Sequence, residues 1–272
     1  MGLRSFVVLA VLICAGGRLT AKMGLDSSAR GETTEGLDTL AVEEAMGVMA
    51  GRELNPSFYE AQRAAHVVPI YLNTRYGSPY KVFQLESVHK ATVEDVGDTG
   101  RRYHLELSVK EFISDTTEKF TAEVFFPLGE KQLPPKVQVP SLEKLTKINT
   151  KAEEDTLYQK YKTKTPLLSS DHLPDNFGNM DPDMKPFWYL CIVASSFIML
   201  KESTENTFYN MAQVASLTQM PTENDQLKFD STVLLHDMVS QEIPRWKLLF
   251  TWSPAEGVKA LQMEQQPRCE NC

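Results

Sequence analysis

The feature that most constrains this chain is that it is written twice. Asn55-Pro56 opens one helical stretch and Asp181-Pro182 opens another, an offset of 126 residues (182 − 56). Each start couples a side chain able to cap a helix with a proline suited to its first position. The same offset takes Val82 to Phe208, Val88 to Val214, Tyr103 to Phe229 and Phe120 to Trp246. Unrelated domains have no reason to stay in step over roughly 70 residues, so the spacing identifies an internal duplication of a helix-plus-sheet unit.

In the first unit, Tyr59, Ala64, Val67, Val68, Tyr71 and Leu72 form a helical stripe between Pro56 and Tyr76, stopped by Gly77-Ser78-Pro79. Pro69 falls inside it and predicts a kink. Four β-rich runs follow, over 80–93, 102–113, 119–126 and 136–139. His104, Glu106 and Ser108 alternate with Leu105, Leu107 and Val109, the period of an antiparallel strand with one wet face.

The second unit repeats the plan with a helix over 183–201 and runs over 207–219, 227–239, 245–253 and 258–263. Its apolar core from Phe187 to Leu200 is about 14 residues, below the roughly 20 that a membrane span needs, and Lys185 and Lys201 flank it. A buried core helix is expected, starting late because Pro186 crowds its first turn. Leu157 and Tyr161, four residues apart in the charged stretch 151–162, predict a linker helix. The fold class is therefore α+β, two tandem domains each with a long helix on a four-stranded antiparallel sheet. The expected division is residues 1–21, a signal peptide; 22–54, a mobile leader; 55–145 and 173–263, the two domains; 146–172, the linker helix; and 264–272, a tail.

The signal peptide is read from Arg4, the apolar run Phe6 to Ala15, and the small residues Gly17 and Ala21. It predicts a secreted, extracellular protein with no membrane span after cleavage. A formal net charge of −8 argues against nucleic acid, whose binding needs lysine and arginine to neutralise phosphate. Of the four cysteines, Cys14 leaves with the signal peptide. Cys269 and Cys272 have metal-motif spacing but no second pair of ligands, and can pair with each other, with another chain or with none.

No catalytic constellation emerges. None of the five histidines has the paired spacing with glutamate of a zinc hydrolase, and no phosphate loop or nucleophile elbow is present. His104 and Glu106 share a strand face without a third ligand, so neither a metal nor another cofactor is expected. His236, Asp237 and Ser240 are close in sequence, but 236 and 237 on one strand point to opposite faces, which excludes a triad. A duplicated scaffold without a catalytic site points to recognition through its loops.

The stretches Leu173-Pro174-Asp175-Asn176-Phe177-Gly178-Asn179, Ser203 to Tyr209, Thr232-Val233-Leu234-Leu235-His236 and Ser240-Gln241-Glu242-Ile243 resemble the latexin family. Ala61, Arg63, Ala64 and Ala65, with Arg102 to Leu105 and Thr121 to Val124, agree more loosely. The secreted or membrane-associated retinoid-responder branch and the avian eggshell-matrix proteins are similar too. The resemblance implies two cystatin-like domains, no cofactor, and inhibition of A- or B-type zinc metallocarboxypeptidases by covering the active-site funnel. It places the inhibitory contacts on His236, Asp237, Ser240, Gln241 and Glu242, chiefly His236 and Gln241. The cystatin Gln-x-Val-x-Gly hairpin is missing at residues 94–98 and 220–224, which disfavours cysteine-protease inhibition. The alternative is a non-inhibitory extracellular matrix or interaction protein that keeps the fold.

Overall fold

A computed structural model describes residues 51–129 and 133–267. The signal peptide, the leader up to residue 50 and the Cys269–Cys272 pair lie outside the described residues. The first unit comprises β1 (Arg52–Leu54), α1 (Tyr59–Tyr76), β2 (Phe83–Asp95), β3 (Gly100–Glu111), β4 (Thr116–Pro127) and β5 (Lys136–Gln138), with its strands antiparallel in sequence order. After α2 (Lys151–Lys162) come β6 (Ser169–Leu173), α3 (Lys185–Glu202), β7 (Tyr209–Glu223), β8 (Gln226–Asp237), β9 (Arg245–Ser253) and β10 (Gly257–Gln265), in the sheet order β10-β9-β8-β7-β6.

The duplication holds at the level of register. Val88 pairs with Leu107 and Leu107 with Phe120; Val214 pairs with Val233 and Val233 with Trp246. Each partner is displaced by the same 126 residues, and so are both ends of α1 and α3.

Both sheets are five-stranded, where the sequence predicts four strands. Arg52–Leu54, read as mobile leader, pairs with Val93, Thr92 and Ala91, and Leu54 is buried. Ser169–Leu173, all but Leu173 of it read as linker, pairs along β7. Three to five residues are too few for an alternating pattern to declare itself. They become strands because the long neighbouring strand presents unpaired backbone groups that they satisfy.

The helix starts also shift. Asn55 accepts a hydrogen bond from the Ser57 N–H at 2.9 Å, forming a turn, and α1 begins only at Tyr59. Asp181 accepts from the Asp183 N–H at 2.9 Å and caps a 3-10 turn over Pro182–Met184. Pro186 then sits in the first turn of α3, where a missing N–H breaks no helical bond. α1 runs on through the buried Pro69.

The helices meet each other as well as their own sheets. Ile70 on α1 is part of the second unit's core, and Leu200 on α3 packs against both cores. α3 is apolar enough by composition to cross a membrane, and Phe187, Leu190, Cys191, Val193, Ala194 and Ile198 on it are buried in the protein. α2 joins the same core through Leu157, Tyr158 and Tyr161, and Tyr161 meets Phe187 edge-on at 4.5 Å. Gly77 closes α1 where a Cβ would stand 2.5 Å from the Asn73 carbonyl oxygen and 2.7 Å from a Val193 methyl. His66 bridges the units: its ring stacks on Phe208 at 4.0 Å, and Nε2 lies 2.8 Å from the Tyr209 carbonyl oxygen, to which it donates.

Gly77→Ala is expected to cost about 1–3 kcal/mol by overpacking this junction, read as a lower urea midpoint. Burial lowers the His66 pKa from its ordinary 6.5, outweighing the raising effect of the Tyr209 hydrogen bond. The neutral ring therefore contributes stability above pH 6.5 that is lost as the pH falls through the lowered value. Thermal unfolding should shift downward on acidification from pH 6.5 toward that lowered value, and His66→Gln should flatten the shift. Asp237 and Glu118 are both held below their ordinary values of 3.8 and 4.5, so neither titrates just below pH 6.5.

Candidate functional site

The β8–β9 hairpin carries all five residues that the sequence singles out, and it divides them. His236 is half-buried and Asp237 is buried, on opposite faces of β8. Asp237 Oδ1 accepts from the backbone N–H of Phe208 at 2.8 Å and of Val239 at 3.2 Å. Its Oδ2 accepts from the Ser240 N–H at 3.3 Å and the Ser240 hydroxyl at 2.7 Å. Burial opposes the charge, yet these donors hold the carboxyl below its usual range. Asp237 and Ser240 therefore build the turn from within, and Gln241, Glu242, Met238 and Val239 are displayed on it. Gln241 has φ +61°, and its side-chain amide donates to the Met238 carbonyl at 2.6 Å.

The first unit contains the same device. Glu111, fully buried, accepts from the N–H groups of Val82 at 2.9 Å, Ile113 at 3.1 Å and Ser114 at 2.6 Å. These donors are the 126-residue equivalents of Phe208, Val239 and Ser240, and Glu111 pairs with Phe83 as Asp237 does with Tyr209. Asp115, the equivalent of Gln241, has φ +63°. The two tips thus share one frame and differ in what they present. In the first, Lys110 and Asp115 close on each other as an ion pair. Their equivalents are His236 and Gln241, and among the described residues the His236 ring has no hydrogen-bond or ionic partner. The first tip is closed by an ion pair; at the second, Gln241 is spent on the Met238 carbonyl and His236 is left open.

The sequence does not single out the apolar residues around this tip. Met238, Val239 and Ile243 are 49%, 42% and 56% exposed. Phe177, in the loop after β6, is 90% exposed. That loop is rigid: Asp175 Oδ1 accepts from the N–H groups of Phe177 and Asn179 at 2.9 and 2.7 Å, and Gly178 takes φ +81°. The Asp-x-Phe-Gly-Asn order is the signal for it, an Asx turn with glycine at the left-handed position. Leu173 pairs with Val214, Val214 with Val233 and Val233 with Trp246, so this loop and the β8–β9 tip leave the same end of the sheet.

Elsewhere, His104 lies between Glu94 and Glu123, at 3.5 and 3.2 Å, while Glu106 pairs with Lys119. No three histidine, cysteine, aspartate or glutamate side chains among the described residues are grouped to hold a metal. Cys191 is buried and its thiol is pushed up to about 12 by burial, far from a reactive thiolate.

Asp237→Asn and Glu111→Gln should each cost about 1–3 kcal/mol, because each turns charge-assisted bonds into neutral ones and mispairs an N–H. Amide exchange should accelerate at Val239 and Ser240 in the first variant, and at Ile113 and Ser114 in the second.

The family model described as Latexin matches residues 54–270, from β1 through both sheets. Latexin of Homo sapiens is 35% identical over 217 residues, covering 79% of this chain and 97% of that protein. Ovocalyxin-32 of Gallus gallus is 30% identical over 214 residues, covering 78% and 76%. Retinoic acid receptor responder protein 1 of Homo sapiens is 29% identical over 207 residues, covering 73% and 69%. With both halves of the duplication inside the matched region, this chain belongs to the latexin family.

Proposed function

We propose that the protein is a secreted, non-enzymatic inhibitor of zinc metallocarboxypeptidases that occludes the active-site funnel with the β8–β9 tip. The observation that carries this reading is the contrast between the two tips, one frame closed by the Lys110–Asp115 ion pair and the other leaving the His236 ring open while Gln241 turns back onto the Met238 carbonyl. A preset tip loses little conformational entropy on docking. The open His236 ring, on a hairpin that also exposes Met238, Val239 and Ile243, suits an anchor that is desolvated at the centre of an interface. Phe177, displayed at the same end of the sheet, would extend that contact; burying such a side chain is worth about 1.5–3 kcal/mol.

The hairpin also explains how a carboxypeptidase could be blocked without cutting the blocker. These enzymes act on a free α-carboxylate, and a closed turn offers none. In this reading Asp237 and Ser240 fix the turn, while His236, Gln241 and Glu242 face the enzyme.

Titration of pancreatic-type carboxypeptidase A with the mature chain should give stoichiometric loss of activity. Installing the first tip's closed pair, His236→Lys with Gln241→Asp, should weaken inhibition at least about tenfold, which is roughly 1.4 kcal/mol, without lowering the melting temperature. If the folded chain leaves both A- and B-type enzymes fully active, the inhibitor reading fails and an extracellular interaction or matrix role replaces it.

A further inference from the structure

Among the described residues three serines stand two places before a glutamate: Ser141-Leu142-Glu143, Ser203-Thr204-Glu205 and Ser240-Gln241-Glu242. Acidophilic protein kinases of the secretory pathway select Ser-x-Glu, because a basic pocket reads a carboxylate two residues beyond the hydroxyl. The fold withholds two of the three. Ser203 is buried and its hydroxyl is spent on the Met199 carbonyl at 2.6 Å, while Glu205 accepts from the Tyr103 hydroxyl at 2.5 Å. Leu142 is anchored in the first core, and the Glu143 N–H is tied to Glu118 at 2.8 Å. Ser240, Gln241 and Glu242, by contrast, are all exposed in the β8–β9 turn. The bonds of Ser240 run to Asp237 and to the Glu242 N–H, inside the turn, so a local opening of the tip frees the hydroxyl without unfolding the sheet.

We propose that Ser240 is a phosphorylation site for a Ser-x-Glu protein kinase, and that the phosphoryl group unfastens the β8–β9 tip. In the transfer, Ser240 Oγ attacks the γ-phosphorus of ATP and the bond from that phosphorus to the bridging oxygen breaks. ADP leaves, and the hydroxyl proton passes to a carboxylate of the kinase. The product does not rebuild the turn. The Ser240 hydroxyl donates to Asp237 Oδ2 at 2.7 Å, and the ester oxygen that replaces it has no hydrogen to give. A group of charge about −1.5 to −2 then stands beside a buried carboxylate, in a turn from His236 to Pro244 that contains neither lysine nor arginine. Repulsion drives the two apart, and the N–H groups of Val239 and Ser240 lose their acceptor. The first unit supplies an internal control. Ser114, the equivalent of Ser240, has its N–H held by Glu111 at 2.6 Å in the same way, but Thr116 stands where Glu242 does and takes the Ser114 hydroxyl at 2.9 Å. The site rests on the geometry of the turn; only its consequence, loss of inhibition, rests on the function proposed above.

The test incubates the folded mature chain with the Ser-x-Glu-selective casein kinase of the secretory pathway and Mg-ATP, and maps the phosphate by mass spectrometry. Ser240 is expected to be the principal site, with Ser114, Ser141 and Ser203 little modified. Glu242→Gln should cut incorporation at Ser240 at least about tenfold by removing the carboxylate that the kinase reads. After phosphorylation, amide exchange should accelerate at Val239 and Ser240 and stay unchanged at Ile113 and Ser114. Inhibition of carboxypeptidase A should weaken at least about tenfold. An unmodified Ser240 under conditions that phosphorylate casein, incorporation indifferent to Glu242→Gln, Ser114 modified as fully as Ser240, or unchanged exchange at Val239 and Ser240 after stoichiometric modification would each overturn the proposal. A chain that is phosphorylated and opened at the tip, but inhibits no carboxypeptidase even before treatment, leaves the site standing and sinks the inhibitor reading alone. Equal inhibition before and after stoichiometric modification sinks the regulatory step and leaves the inhibitor reading intact.

Discussion

A helix apolar around most of its circumference must be covered on more than one side, and α3 imposes that demand on the whole molecule. One face lies on β7, β8 and β10; another meets α1. Because Ile70 of α1 lies in the second core and Leu200 of α3 packs against the first as well as its own, neither sheet's hydrophobic face is sealed by its own helix alone. Two duplicated units that might have been separable beads are thereby held as one body, with Gly77 permitting the approach and His66 crossing it.

This junction also explains which parts of the fold could be read in advance. The 126-residue offset is long-range and repeated in several elements, so it survived divergence of the individual residues and reported helix ends and strand register together. The buried character of α3 followed from its length and flanking lysines. β1 and β6 were not legible, because strands of three and five residues owe their existence to an open neighbouring edge rather than to their own pattern. The contact between helices was equally silent, since periodicity tells that a face is buried and not what buries it.

At the candidate site, sequence spacing located the tip but could not separate its residues by role. His236 and Asp237 are adjacent polar residues until the pleat sends one outward and the other among backbone N–H groups. Asp237 and Ser240 are recognisable as internal fasteners only through their bonds, and Glu111 shows that the arrangement is a property of the ancestral unit, made with a side chain one methylene longer. Phe177 required knowing that Asp175 and Gly178 tighten the loop beneath it.

The carboxylate in each hairpin grips peptide nitrogen atoms, a feature every residue type but proline supplies. Side chains at the apex can consequently be exchanged without touching what shapes the apex, as Phe112 and Ile113 against Met238 and Val239 already illustrate. Such a bend behaves as an interchangeable cassette. Lineages descended from one doubled ancestor could re-aim either end toward new targets by a handful of codon changes while the folding problem stayed solved.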